Sequence, residues 1–211
     1  MLMTLVLLLV FAITAGTLWL HGLWGNAVTL INMLLAMLLA TNFYEPVAAL
    51  ADHYAHAGSY FYDFTAVWVL FLIFFGTFRG ITDALSGEGV KFILPVEIAG
   101  RSLLAIWCGW LMVCFVAFSL QMAPLNSAAP LGAWNTPQES TFLGLAPDRK
   151  WLGFMQQNSY GYLSRGQFYP EDSNQKDSQL NVQTFDPHSE FPYKYAYRRK
   201  QYAGIENMTP P

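Results

Sequence analysis

Four stretches of the chain are almost wholly apolar and each is about as long as a hydrocarbon core of roughly 30 Å requires, which is about 20 residues at 1.5 Å per residue. They run Leu2 to Leu20, Ala27 to Tyr44, Phe61 to Phe78 and Ser102 to Met122. The third is interrupted near its start by Asp63, an acidic side chain close enough to the span end to reach the interface. The first has no Lys or Arg before it, and its apolar run exceeds the 7 to 15 residues of a signal-peptide core, so it reads as a span. The pattern predicts an all-α membrane protein: a four-helix transmembrane bundle over residues 1–122, then an irregular, partly helical extramembrane tail over 123–211.

Composition agrees. Of 211 residues 54% are hydrophobic and only 12% charged, against about 25% charged in an ordinary soluble domain. The first 44 residues carry no Asp, Glu, Lys or Arg. Charge then reports orientation, because Lys and Arg near span ends collect on the cytoplasmic side. The connection after the third span holds Arg79, Lys91 and Arg101, whereas the one after the second holds Glu45 and Asp52, with Asp63 just beyond, and no Lys or Arg. The expected topology is therefore a cytoplasmic link at 78–102 and both termini outside, periplasmic in a bacterial inner membrane. No segment is basic enough to suggest a nucleic-acid partner.

Helices in a bilayer associate where small residues four apart let backbones approach. The candidate seams are Ala12 with Gly16, Ala36 with Ala40, Gly76 with Gly80, and Ala105 with Gly109. Asn32 and Thr41 offer interhelical hydrogen bonds. In the cytoplasmic link Arg79 with Asp83 and Glu97 with Arg101 stand four apart and are expected to pair. Pro95 suits the first turn of the fourth helix, with Glu97 near its positive end. VKFILPV is too short to span and is expected at headgroup level or beneath the bundle. In the outer loop, EPVAALADHYAHAG reads as a separate short interfacial helix starting at Glu45-Pro46.

Chemistry is sparse. The charge-free parts of the spans hold no ionisable relay of the kind that pumps and carriers need. Asp52, His53 and His56 place two imidazoles and a carboxylate near one another, but no fourth metal ligand is evident. His188 lies between Asp186 and Ser189, an adjacency that does not make a triad. No cofactor motif and no nucleophile motif occurs. Cys108 and Cys114 are six apart on one helix, about 240° around it, and cannot bridge.

The tail contains two helix signatures. TPQESTFLGLA has a capping box, with Thr136, Pro137 and Glu139, and APDRKWLGFMQQ has an early proline followed by an apolar face of Trp151, Phe154 and Met155. Beyond Ser164 no period is visible, and the aromatic-rich text reads as extended chain needing a surface to lie on: its own bundle, a second copy or another protein.

Several local features together resemble one family. A glycine turn before the second span (HGLWGN), a second span closing on LLATNFYEPVA and a fourth helix opening on EIAGRSLLAIWCGWLMVCF are similar to the colicin V production protein (CvpA) family over residues 1–122. The tail motifs GLAPDRKWLGFMQ and FDPHSEFPYKYAYRRK resemble a bacterial subgroup of it. Members commonly carry an arginine in the turn before the second span; this turn is uncharged, so no role of that residue carries over. The resemblance implies an inner-membrane accessory or scaffold protein linked to toxin production or export and to envelope maintenance, with no catalytic residues to transfer. Two further expectations stay open beside it: an oligomeric passive pore, and a small structural subunit of a larger membrane complex. In each case the partners are lipid and protein, including a further copy of the chain.

Overall fold

The structure is a computed structural model that describes residues 2–54, 59–86, 92–123, 142–159, 185–186 and 189–202. Among these residues there are six helices and no strand: α1 (Leu2–Trp19), α2 (Leu23–Tyr54), α3 (Ser59–Leu85), α4 (Leu94–Met122), α5 (Pro147–Ser159) and α6 (Phe191–Tyr202). The first four are long and apolar enough to cross a membrane, so the fold is an all-α four-helix membrane bundle. Their outer surface is apolar, with Leu5, Leu9, Leu72, Ile73, Leu103 and Ile106 all exposed. In lipid that surface carries no desolvation cost.

The helices do not pack simply in chain order. α2 packs along α3, while α1 packs chiefly along α4, and α4 also contacts α2 and α5. Close approach explains the α1–α4 seam. A Cβ added at Gly109 would stand 3.0 Å from a ring carbon of Phe11 and 3.3 Å from Ala15 Cβ. Ala105 lies on the same buried stripe, and Ala36 and Ala40 are fully buried in α2.

The other small-residue pairs fall elsewhere. Gly16, Gly76 and Gly80 face outward, with nothing within 4 Å of an added Cβ, and Ala12 is exposed too. The cause is helical phase. Gly16 is nine residues from buried Leu7, Gly76 nine from Val67 and Gly80 nine from Phe71, which at about 100° per residue places each on the opposite face. Between α3 and α4 the contact is made by large residues. Trp68 meets Phe115 edge-on at 5.6 Å and Phe71 at 5.8 Å.

Polar pairs join α2 and α3 at the end away from the tail. Asn32 Nδ2 donates to Thr82 Oγ1 at 2.8 Å, and Trp24 Nε1 donates to Ser86 Oγ at 3.0 Å. Arg79 pairs with Asp83 at 2.9 Å and donates to Thr29 Oγ1 at 2.9 Å. Glu97 and Arg101, by contrast, are not an ion pair. The Glu97 carboxylate instead lies beside Gly22, 3.4 Å from where a Cβ would sit, just before the positive end of α2.

Two further expectations are corrected. The segment after Glu45 is no separate helix: α2 continues through Pro46 to Tyr54. A proline inside a helix removes one backbone hydrogen bond and crowds the preceding turn, but here 23 residues of packed helix precede it. Secondly, the end of the tail is not extended, since residues 191–202 form α6. At α4, Phe92 and Ile93 are exposed and non-helical, and the helix begins at Leu94 with Pro95 in its first turn, as the sequence suggests. The Thr136 capping box, His56 and His188 lie outside the described residues.

Candidate functional site: a polar seam under the C-terminal helices

α6 owes its shape to a spacing of four. Phe191, Tyr195 and Arg199 lie on one face and are all buried, while Lys194 and Arg198 flank them. Asp186 starts the helix. Its Oδ1 accepts from the Glu190 N–H at 2.7 Å and from the Phe191 N–H at 3.1 Å, which satisfies donors that a helix start leaves free. Asp186 takes a φ of 46°, a left-handed setting that Asp tolerates better than most residues. Burial raises its carboxyl pKa against the opposing pull of those two N–H groups.

The buried face of α6 covers the end of the bundle where α2 and α3 meet. Phe191 stacks on Phe118 of α4 with ring centroids 5.0 Å apart. Beside it, Tyr195 donates its hydroxyl to Asp63 Oδ2 at 2.8 Å and stands 3.5 Å from the Tyr44 hydroxyl. Arg198 forms an ion pair with the same Asp63 oxygen, and Lys194 lies 3.7 Å from Glu45. The Asp63 side chain is only 13% exposed, so its charge needs these donors. The phenol of Tyr195 responds in kind: burial first, and the negative charge of Asp63 second, push its pKa well above 10.

α5 enters the same seam from the other flank. It is led in by a left-handed stretch in which Phe142, Leu143, Gly144 and Ala146 have φ values of 55°, 56°, 79° and 44°. Left-handed backbone costs about 1 to 2 kcal/mol for each side-chain-bearing residue. Phe142 is set against Met3, Leu7, Val113 and Val116 in exchange, a burial that offsets much of that strain. Trp151 then lies fully under the cap: its Nε1 donates to Thr41 Oγ1 at 3.1 Å and its ring meets Phe115 edge-on at 5.8 Å. Thr41 thus bonds to the tail and not to another span, while it donates its own hydroxyl to Met37 O at 2.8 Å.

Gln121 ties both tail helices to α4. Its Nε2 donates to Asp148 of α5, and its backbone carbonyl accepts from Arg199 of α6 at 2.5 Å. Desolvation lowers the Arg199 pKa to about 10. α5 and the start of α6 are also joined directly, since Ser159 Oγ accepts from the Phe185 N–H at 2.9 Å and Gln156 donates to Asp186 O at 3.1 Å.

This arrangement can bind and hold. Carboxylates, phenols and guanidinium groups satisfy one another across three segments of chain, and among the described residues no group of three His, Cys, Asp or Glu is placed to take a metal ion. Cys108 and Cys114 are both buried and unbridged. Of the positions singled out from the sequence, Thr41, Asp63 and Trp151 enter the seam; the Arg79–Asp83 pair and Arg101 lie at the opposite end. Tyr44, Gln121, Tyr195, Arg198 and Arg199 were missed. The available signal was the recurrence of Phe191, Tyr195 and Arg199 four apart, with Asp186 and Pro192 marking a helix start. Compared with protein families, curated proteins and solved structures, the chain matches none of them.

Proposed function

We propose that this chain is a multi-pass accessory or scaffold protein of the bacterial inner membrane, of the colicin V production type, and that it acts through protein contacts made by its capped outer end. The observation that carries this reading is the cap. Its polar groups are used in holding two tail helices onto the bundle, which fixes Leu143, Leu145, Phe154 and Tyr193 on the outside as exposed apolar side chains. Apolar groups held outward on an ordered, polar-rimmed surface suit a partner or a membrane interface. The distribution of Arg79, Lys91 and Arg101 supports a cytoplasmic link and a periplasmic cap. The resemblance to the family connects that surface to toxin production or export and to envelope upkeep.

The test is to solubilise tagged full-length protein from its native membrane in mild detergent, crosslink, and identify attached peptides by mass spectrometry. The expected result is crosslinks from the cap to one stoichiometric foreign protein, which would also identify any larger complex of which this chain is a subunit. Crosslinks only between copies of the chain would overturn the scaffold reading and favour a homo-oligomer, for which conductance in planar bilayers is the deciding assay.

A further inference from the structure

The shortest span fixes the depth at which the tail meets the bundle. α1 has 18 residues, about 27 Å of helix, so it crosses a core of roughly 30 Å only with one end at each boundary. Phe11 is therefore near mid-bilayer, and Gly109 of α4 lies against it. Trp19 meets Arg101 further along, so the two helices run antiparallel. Each step along α4 from Gly109 moves one residue back along α1, which sets Val113 level with Leu7 and Ala117 with Met3. These four share one buried cluster.

The tail reaches this depth. The Phe142 ring lies 6.0 Å from that of Trp110, the residue after Gly109, and Lys150 Nζ lies 5.3 Å from the same ring. Phe142 also belongs to the cluster of Met3 and Leu7, and Leu7 is five residues, about 8 Å, into α1. A second observation agrees. Val113 to Ser119 are seven consecutive buried residues, nearly two turns and so every face of α4. α5 helps to close the flank that the other spans leave, with Trp151 against Phe115.

A segment beside the first two turns of α1 sits below the headgroups, and this one suits that place. Leu143 is 76% and Leu145 44% exposed. The turn that presents them is closed on itself, since the Leu145 N–H donates to Phe142 O at 3.0 Å, as backbone away from water requires. The Lys150 cation is drawn over an aromatic face, a contact that strengthens where water is scarce. Amphipathic helices lie on a bilayer with their apolar groups about 5 to 10 Å into the boundary between headgroups and chains. We propose that residues 142–159 form an in-plane element of the leaflet on the tail's side, with Leu143 and Leu145 among acyl chains and Trp151, Leu152 and Met155 on the bundle. The proposal rests on the four-span fold and deepens the reading of the cap: Leu143 and Leu145 go to lipid, which leaves Phe154 and Tyr193 for a protein partner.

Nitroxide labels at Leu143→Cys and Leu145→Cys in the full chain, reconstituted in phosphatidylcholine vesicles, test it through collisions with oxygen, which concentrates in lipid, and with a water-soluble nickel chelate. Leu5→Cys, on the exposed face of α1, is the lipid reference, and the wild type, whose two cysteines are buried, gives the background. Both tail labels are expected to show an oxygen-to-nickel ratio as high as that at Leu5. A ratio several-fold lower, which places the side chains in water, or labels that neither reagent reaches, which places them under protein, would each overturn the proposal. Because a label can disturb a turn, the wild type is also photolabelled with phosphatidylcholine carrying a diazirine in its acyl chain. Label on residues 142–146 is expected, and label confined to the spans would reject the proposal. A Leu5 label in water would sink the four-span reading itself, and the proposal with it; whether the cap crosslinks to a foreign protein bears on neither.

Discussion

At the scale of single residues, Tyr195 shows how the cap is held. Its hydroxyl donates to a carboxylate that is almost wholly out of water, and a hydrogen bond to a charged group contributes about 1.5 to 3 kcal/mol. Tyr195→Phe is therefore expected to raise the rate of protease cleavage in α6 by about tenfold or more. The alkaline behaviour follows from the same contact. An undocked phenol ionises near pH 10, while the docked one is held protonated by burial and by Asp63. The docked state thus keeps a proton that the undocked state gives up, so this stabilisation is complete below about pH 10 and is lost as the pH rises further. Cleavage followed across that range should accelerate in the wild type and change less steeply in Tyr195→Phe, which retains Lys194 and Arg198. An identical slope in the two proteins would remove Tyr195 from the latch.

At the scale of elements, the spans were legible because a run of about 20 apolar residues has few other homes, and α5 was legible from Pro147 and the phase of Trp151 and Met155. What could not be read was where α2 stops. Glu45-Pro46 is a good helix start, and nothing local says that a proline will be absorbed in a helix already packed on α3. α6 was missed for a different reason. Its buried stripe includes an arginine, and a stripe of Phe191, Tyr195 and Arg199 has apolar periodicity only once Gln121 is known to accept from that arginine. The seam as a whole was illegible since Asp63 and Tyr195 lie far apart in sequence. The element-level prediction concerns the start of α6. Asp186→Ala should cost about 1 kcal/mol and speed hydrogen exchange at the Glu190 and Phe191 amides, leaving the middle of α5 unchanged. Asp186→Asn keeps an accepting oxygen, and burial already disfavours the charge it removes, so it should behave as wild type.

At the scale of the whole molecule, the formal charge of −3 conceals an internal match. The carboxylates Glu45 and Asp63 are met by Lys194 and Arg198 from the far end of the chain, so the acidic loop and the basic cluster of the tail are two halves of one contact. The packing of α1 has a consequence in time. Its partner is chiefly α4, made last of the four, and the glycine that admits Phe11 and Ala15 lies on that late helix. During synthesis the first span must therefore wait in the lipid, or against a chaperone of the insertion machinery, while α2 and α3 pair beside it. A photo-crosslinker at Phe11 should label α4 in the finished chain and only lipid or insertion machinery in a chain stopped after Leu85; label on α2 or α3 in the stopped chain would refute this order. On this order the first-made helix is the last to find its place.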